Sequence, residues 1–347
     1  MSLVIKQGNC CLIDHWEFIA KLYKDVLFEE NYQSYTLSAK LFSITSEVRT
    51  RKRKKVYEEL SIETSKIKRM YEEFIAKVPN SIKERISQKY NILDTSSVRD
   101  FSASLFQSTI FDHHSINGGS TSDIPLKCKI QNEYFLIPPN SRFYYGSVNE
   151  ECHKLDSGIF DLVIADPPWW NRYIRRLKNA NEQLSYEMMY NEDIAAIPLS
   201  NLLSSNCLVA VWCTNSPANI QAVKNLIFRN WGVRYVASWH WLKVAVDLSP
   251  ICPFGTGSTK QPYEMLIIGK VGSVAPIPDG QLIVSIPSAL HSHKPPLLDL
   301  LKPYINKEQP RILELFARYL LPNTTSVGYE PLKWQHISLY ETVDISE

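Results

Sequence analysis

The sequence predicts an α/β fold with a mostly parallel sheet, preceded by a mainly helical N-terminal domain. Three observations support this prediction. The first 110 residues repeat apolar side chains at helical spacing, residues 112–123 are polar and rich in turn formers, and short apolar runs alternate with helix-like segments after residue 140. We therefore predict a helical domain over residues 1–110, a linker with one strand over 111–139, and an α/β domain over 140–347.

Two segments carry the helical pattern of the N-terminal part. Apolar side chains recur at helical spacing over 16–23 and over 47–78, and Pro79 ends the second helix. Six of the seven residues from 49 to 55 are basic. Such a run suits a nuclear localisation signal, a phosphate-binding patch or a solvated helix face.

The linker and the C-terminal part contain the predicted strands. Residues 126–137 predict the strand of the linker, which Pro138 and Pro139 end. Further strands are predicted at 160–165, 207–213, 235–241, 264–269, 282–286, 311–316 and 326–330. Helices are predicted at 217–229 and 297–304. Apolar strands that alternate with helices indicate a sheet covered on both faces.

The composition is that of a globular protein with a sizeable core. Of the 347 residues, 44% are hydrophobic and 21% are charged, and the formal net charge is +2, so a nucleic-acid partner would need a local basic patch. The seven cysteines form no Cys-x-x-Cys pair, which argues against a disulfide framework or a zinc ribbon and for a reducing compartment. No apolar run approaches the ~18 residues that a membrane helix needs, and we predict no signal peptide.

The motif Asp166-Pro167-Pro168-Trp169 follows the predicted strand 160–165. In a parallel sheet, ligands bind at the carboxyl ends of the strands. The two prolines fix an extended backbone, and we expect their carbonyls to be free to point into a site. A carboxylate and a carbonyl can each accept one N–H of a planar amine and stabilise positive charge that develops on it, while Trp169 can stack on a flat base. The alternative interpretation is a proline turn, with Asp166 as a cap and Trp169 in the core.

A later pair of strands suggests a site for a nucleotide-like ligand. No Gly-x-Gly-x-x-Gly motif occurs, which disfavours a dinucleotide-binding enzyme. The predicted strand 326–330 ends in Glu330, and an acid at this place can accept hydrogen bonds from two ribose hydroxyls. The histidines His240, His291 and His293 have no cysteine or carboxylate cluster beside them, so we predict no metal site.

Five blocks of residues occur in a distinctive order. They are Asp166-Pro167-Pro168-Trp169, Trp239-His240-Trp241-Leu242-Lys243, Lys260-Gln261-Pro262-Tyr263-Glu264, His291-Ser292-His293-Lys294-Pro295-Pro296 and Glu314-Leu315-Phe316-Ala317-Arg318. This order resembles the N6-adenine methyltransferase family that includes the catalytic subunit of the messenger-RNA N6-adenosine methyltransferase. The likeness covers roughly residues 140–340. It implies a Rossmann-like, S-adenosylmethionine-dependent methyltransferase with permuted motif order, in which the last two predicted strands bind the methyl donor and Asp166 lies on the acceptor side.

The resemblance also implies which residues form the site. Asp166, Pro167, Pro168 and Trp169 would be catalytic. Lys294 would pair with the carboxylate of the methyl donor, and Arg318 and Glu330 would lie near its ribose and adenine. The full set predicted to bind S-adenosylmethionine, and its product S-adenosylhomocysteine, is Asp166, Lys294, Phe316, Arg318, Tyr329, Glu330, Ser147 and Val148.

Three positions depart from the pattern of this family. Ser147 stands where the family has an aspartate that contacts the donor, Tyr329 replaces the asparagine of a Gly-Asn-Glu triplet, and residues 319–321 lack an asparagine seen in some relatives. These departures leave three alternatives. The chain binds the donor more weakly, it holds the donor through backbone contacts, or it is an inactive relative that only binds nucleic acid or a partner methyltransferase. A methyltransferase for protein glutamine or a small molecule is a further alternative, which Asp166 in place of asparagine disfavours.

Cations and aromatic residues after the Asp166 motif indicate the acceptor surface. The residues predicted to contact the acceptor are Trp170, Arg172, Tyr173, Arg175, Arg176, Tyr186 and His293, with Arg51, Lys52, Arg53 and Lys54 of the basic run. Residues 246–261 are a candidate lid. The resemblance implies RNA as acceptor, with 2′-O-methyladenosine of U2 small nuclear RNA favoured and DNA adenine as the competitor. We expect a monomer that acts without an obligate partner subunit, in the nucleus and alternatively in the cytosol.

Overall fold

The computed structural model describes residues 2–46, 59–108, 116–170, 188–256 and 260–343. The strands in chain order are β1 Leu3–Gln7, β2 Cys10–Ile13, β3 Val26–Phe28, β4 Asn31–Leu37, β5 Gly118–Gly119, β6 Leu126–Ile130, β7 Glu133–Ile137, β8 Arg142–Tyr145, β9 Phe160–Ala165, β10 Leu203–Cys213, β11 Arg234–Lys243, β12 Tyr263–Lys270, β13 Leu282–Ser285, β14 Ile312–Leu315, β15 Thr324–Gly328 and β16 Tyr340–Val343. The α-helices are α1 His15–Leu22, α2 Ile62–Lys77, α3 Asn80–Tyr90, α4 Thr95–Ser108, α5 Val148–Cys152, α6 Asn191–Ala195, α7 Pro217–Ala222, α8 Phe228–Asn230 and α9 Leu298–Leu301. None of the helices in these ranges is long and apolar enough to cross a membrane.

An eleven-stranded mixed sheet forms the centre of the molecule. Its strand order is β1-β2-β13-β11-β12-β10-β9-β14-β15-β8-β5. The run from β10 to β8 is parallel throughout, whereas β12 pairs antiparallel with both of its neighbours. This parallel run confirms the predicted α/β class, and all seven strands predicted after residue 140 are present. A smaller five-stranded sheet has the order β16-β4-β3-β6-β7.

Apolar side chains bury both faces of the parallel run. On one face, Val163 and Ala165 of β9 share a core with Phe228 of α8. On the other face, Leu162 and Leu301 of α9 share a second core. Burying one such side chain stabilises the fold by roughly 1.5–3 kcal/mol, so the continuous apolar run of β9 suits a central strand with helices on both sides.

The prediction of a mainly helical N-terminal domain is not confirmed. Helices α1 to α4 are present, but the same part of the chain also supplies β1 to β4. Strand β2 pairs in parallel with β13, so that Cys10 lies opposite Leu282 and Leu12 opposite Val284. The N-terminus therefore extends the large sheet, and the predicted boundaries at 110 and 140 stay a prediction.

Two local predictions need correction. The single strand predicted over 126–137 is an antiparallel hairpin of β6 and β7, because Gln131 turns the chain with φ of 55°. The helix predicted over 47–78 spans Ile62–Lys77, where Ser61 Oγ accepts the N–H of Thr64 and so caps the first turn. Residues 47–58 lie outside the described residues.

Candidate active site

The Asp166 motif leaves the sheet at the carboxyl end of β9. Ala165 pairs with Val211 of β10 on one side and with Leu315 of β14 on the other, so these three strands end at one edge. The N–H of Asp166 still donates to the carbonyl of Leu315, at 3.3 Å. The carboxyl group of Asp166 therefore starts from the central strand, at the place where parallel sheets bind ligands.

Trp169 anchors the motif instead of presenting its ring to a ligand. Its side chain is 7% exposed, and its indole Nε1 donates to the carbonyl of Trp212 at 3.0 Å. The prediction that Trp169 stacks on a base is therefore wrong, because the ring belongs to the core under the sheet. The structure instead agrees with the alternative interpretation, in which Trp169 lies in the core.

The sequence predicted that the carbonyls of Pro167 and Pro168 are free, but in the structure both accept a hydrogen bond. The carbonyl of Pro167 accepts the N–H of Trp169, and that of Pro168 accepts the N–H of Met189, both at 2.9 Å. A carbonyl oxygen has two lone pairs, so each retains capacity for a second hydrogen bond. The bond to Met189 also fixes the motif to the segment that precedes α6.

Arg318 and Ser292 hold one oxygen of the Asp166 carboxylate. Arg318 Nη1 donates to Asp166 Oδ2 at 2.6 Å, and Ser292 Oγ donates to the same oxygen at 3.0 Å. The other oxygen, Oδ1, faces Lys294 Nζ at 3.6 Å, which is longer than a hydrogen bond. With respect to the partners that the structure describes, Oδ1 thus keeps capacity to accept an N–H.

Glu264 bridges two lysines beside this carboxylate. It forms ion pairs with Lys243 on β11 and with Lys294. Burial raises the pKa of Glu264, but the two lysines outweigh burial and hold it well below its ordinary value. Burial lowers the pKa of Lys294, but Asp166 and Glu264 outweigh it and raise that pKa. The charged forms of Glu264 and Lys294 are therefore stabilised in a site with little water.

An open cavity of about 220 Å³ lies beside the carboxylate. Its lining residues are Ser147, Val148, Asn149, Pro168, Met188, Met189, Asp193, Phe316, Ala317, Arg318, Tyr329 and Glu330. Six of the eight residues predicted to bind the donor are among them. The other two lie next to the cavity: Asp166 binds the lining residue Arg318, and Lys294 faces Asp166.

Glu330 and Tyr329 occupy the wall that follows β15. The carboxylate of Glu330 binds Lys333 and lies 3.8 Å from Arg318 Nε, which holds it in place. Tyr329 is 50% exposed and lines the cavity. A fixed acceptor and a flat apolar surface side by side suit a nucleoside.

Glu314 is a buried acid for which no role was predicted, although it begins the last of the five blocks. It lies on β14, and its Oε2 has no hydrogen-bond partner in the part of the chain that the structure describes. Burial, with the neighbouring Asp166, raises its pKa to about 8. The carboxyl group of Glu314 is therefore neutral at neutral pH.

His293 does not present its ring to an acceptor. It is 4% exposed, and its ring packs 4.3 Å from that of His15 and 4.8 Å from that of Tyr319 between centroids. The prediction that His293 contacts the acceptor is therefore wrong, because α1 and the loop after Arg318 cover it. Within the described ranges no three His, Cys, Asp or Glu side chains cluster as a metal site would require, and the absence of a metal stays a prediction.

Of the other residues predicted to contact the acceptor, only Trp170 is described; its ring stacks on that of Tyr190. The remainder lie outside the described residues: Arg172, Tyr173, Arg175, Arg176, Tyr186, Arg51, Lys52, Arg53 and Lys54. No role was predicted for Glu264, Ser292, Lys243 or Tyr190. Glu264, Ser292 and Lys243 lie within the five blocks, and this position could have identified them. Nothing in the sequence indicated Tyr190.

The arrangement agrees with comparisons to known proteins. The model of the MT-A70 family matches residues 160–330. The chain is 36% identical over 228 residues to the N(6)-adenine-specific methyltransferase METTL4 of Homo sapiens, covering 62% of this chain and 47% of that protein. It is 38% identical over 212 residues to the DNA N6-methyl methyltransferase of Caenorhabditis elegans, covering 58% and 55%. It is 33% identical over 207 residues to the N6-methyladenosine RNA methyltransferase MTA1 of Cryphonectria parasitica, covering 58% and 60%.

The chain spans about half the length of the curated relatives that it matches. The family match nevertheless encloses β9, β14 and the whole charged group around Asp166, from Glu264 to Arg318. The geometry at the edge of the sheet and the extent of the match agree, and the chain therefore contains an MT-A70 family domain.

Proposed function

We propose that this chain is an S-adenosylmethionine-dependent N6-adenine methyltransferase that acts on RNA. One observation carries the proposal: the carboxylate of Asp166 is fixed through Oδ2 at the end of β9, beside a cavity, while Oδ1 keeps capacity to accept an N–H. The match to the MT-A70 family supports the same reaction class.

The residues in and beside the cavity have the chemistry that the methyl donor requires. Phe316 and Tyr329 offer aromatic surface for its adenine, and Glu330 offers a fixed carboxylate for its ribose hydroxyls. Phe316 adopts a φ of 61°, which turns the chain into the cavity directly after β14. Lys294 supplies positive charge for the carboxylate of the methionine moiety, and Arg318 lies beside Glu330, where the ribose would bind. When bound, S-adenosylmethionine supplies an electrophilic methyl group on a sulfonium.

Asp166 and Pro167 would position the acceptor. The lone pair of the N6 amine is delocalised into the adenine ring, so the amine is a weak nucleophile. Asp166 Oδ1 and the second lone pair of the Pro167 carbonyl can each accept one N–H of this amine. These bonds hold the nitrogen in line with the methyl group and stabilise the positive charge that develops on the nitrogen.

RNA is the acceptor that we favour over DNA. The enzyme must reach an unstacked base, and unpaired RNA exposes such bases at lower cost than duplex DNA. We further propose 2′-O-methyladenosine of U2 small nuclear RNA as the target. The basic run over 49–55 supports action in the nucleus. Since one chain carries both donor and acceptor motifs, we expect it to act as a monomer.

DNA is the second candidate acceptor, because one relative is named a DNA N6-methyl methyltransferase. A further candidate is an inactive relative that binds nucleic acid, because Ser147 and Tyr329 depart from the family pattern in the wall of the cavity. Donor binding separates an active methyltransferase from the inactive relative, since an inactive relative need not bind S-adenosylmethionine.

The test is methyl transfer from labelled S-adenosylmethionine to RNA and DNA oligonucleotides, with and without 2′-O-methylation. Asp166→Asn keeps the shape of the side chain but removes its charge and one acceptor oxygen, and we expect transfer to fall about 10²- to 10³-fold. The matched control is Asp156→Asn, at an exposed position away from the cavity. Equal transfer by Asp166→Asn and the control would contradict the proposal. No transfer to any oligonucleotide, with no donor binding by calorimetry, would favour the inactive relative.

A further inference from the structure

Two aromatic rings stack on each other beside the Asp166 motif. The ring centroids of Trp170 and Tyr190 lie 6.0 Å apart, and the ring planes are 17° from parallel. Tyr190 is 58% exposed, although a large aromatic side chain gains most from burial. An exposed tyrosine stacked on a half-buried tryptophan next to a candidate active site is a feature that packing does not explain.

The backbone holds both rings in place. Trp170 follows the buried anchor Trp169, and its N–H donates to the carbonyl of Met189 at 3.1 Å. Tyr190 follows Met189, and its own N–H donates to Asp193 Oδ2 at 3.2 Å, at the start of α6. The pair is therefore attached to the sheet through Trp169 and to α6 through Asp193.

The position of the pair relates it to the reacting group. Trp170 is four residues from Asp166, and Tyr190 lies between Met189 and Asp193, which both line the cavity. Because the two rings contact each other, a flat ligand finds no slot between them. The exposed face of Tyr190 remains available, which makes the pair a platform at the rim of the cavity.

An unpaired nucleobase is the ligand that suits such a platform. When a target base leaves its stack, the next base loses a stacking partner, and an aromatic side chain can replace that partner. Every base has a flat face, so this contact tolerates any sequence. We propose that Trp170 and Tyr190 form a stacking platform for the nucleobase adjacent to the target adenine. This inference rests on the proposed function, since it assumes that the target adenine enters the site beside Asp166.

The experiment uses the full chain and a short single-stranded RNA with one adenine. In two versions of this RNA, 2-aminopurine replaces the base on the 5′ or the 3′ side of the adenine, and its fluorescence falls when it stacks. We expect the wild-type chain to quench one of the two versions. Tyr190→Ala should abolish this quenching, and Tyr190→Phe should retain it because the ring remains. The control is Tyr32→Ala, an equally exposed tyrosine on β4 of the smaller sheet.

Kinetics give a second readout. Loss of one base–aromatic stack should raise the KM for the RNA roughly tenfold or more in Tyr190→Ala. The KM for S-adenosylmethionine should not change. Removing the adjacent base from the RNA should raise the KM of the wild-type chain by the same factor and leave that of Tyr190→Ala unchanged. Such a result locates the effect in contact between the base and the ring.

Each outcome bears on the platform separately from the reaction. If the wild-type chain quenches neither 2-aminopurine RNA, or if Tyr190→Ala quenches as the wild-type chain does, the platform is disproved even where methyl transfer occurs. If quenching depends on Tyr190 but no oligonucleotide is methylated, the proposed function fails and the platform stands as a nucleobase-binding site.

Discussion

Charges of opposite sign alternate along the group of side chains around Asp166. Lys243 pairs with Glu264, Glu264 with Lys294, and Lys294 faces Asp166, which binds Arg318. Each of these groups is largely withdrawn from water, so each depends on its neighbours for compensation. Loss of one member should therefore affect stability as well as function.

Glu264→Gln is the substitution that tests this dependence. It would leave Lys243 and Lys294 as two like charges with a neutral amide between them. Because Glu264 is only partly buried, we expect a loss of about 1–3 kcal/mol in the free energy of unfolding measured with urea. The matched control is Glu308→Gln, at an exposed position. A loss no larger than that of the control would show that the two lysines are solvated.

Glu314 should make stability depend on pH. Burial raises its pKa from an ordinary value of 4.5 to about 8. Between these values the unfolded chain releases the proton while the folded chain keeps it, so stability is greatest below the lower value and declines as pH rises. The expected slope is about 1.4 kcal/mol per pH unit.

Glu314→Gln should remove this contribution, because an amide has no proton to release in this range. Unfolding in urea at several pH values between 5 and 8 measures the effect. The difference in unfolding free energy between the variant and the wild-type chain should grow with pH in favour of the variant. A constant difference would mean that the carboxyl group titrates normally in the folded protein.

At the scale of the elements, patterns of local origin were predicted well. Strand β9 was predicted with the bounds that the structure has. Five of its six residues are apolar, and two prolines follow shortly after its end. Strand β2 was missed: its pattern is short, and its pairing with β13 depends on a contact between distant parts of the chain. The hairpin of β6 and β7 was missed because Gln131 gives no turn signal.

The candidate site shows the same division. The rule that ligands bind at the carboxyl ends of parallel strands brought Phe316, Arg318 and Glu330 to one cavity. It could not tell which side of a loop faces the core, so Trp169 and His293 were predicted to contact ligands although both are buried. Their roles follow from packing partners on distant elements, which a single sequence does not reveal.

Gly269 on β12 tests how closely α8 packs on the large sheet. A Cβ at this position would lie 2.4 Å from Val233 Cγ1 and 2.7 Å from Phe228 Cε2. Gly269→Ala should therefore push α8 away and lower the free energy of unfolding by about 1–3 kcal/mol. Urea unfolding measures the loss, with Lys270→Ala on the same strand as control. Equal stability of the two variants would indicate that α8 moves without cost.

At the scale of the whole molecule, the N-terminal and C-terminal parts share one core. Tyr71 and Phe74 of α2 belong to the same buried cluster as Leu242 of β11 and Val284 of β13. His15 packs on His293, one residue from Lys294. The N-terminal part thus supports the loop that carries the lysine of the candidate site.

We therefore expect the chain to unfold in a single transition. Calorimetry and tryptophan fluorescence should give coincident melting curves, because separation of α2 and β2 from the sheet would expose the shared core. A fragment of residues 140–347 should be less stable than the full chain or fail to fold, since it lacks the strand that covers β13 and the helix that covers β11. Two separate transitions, or a fragment as stable as the full chain, would instead establish the domain boundary near residue 140. The contact between His15 and His293 would then lie at an interface between two units that fold independently.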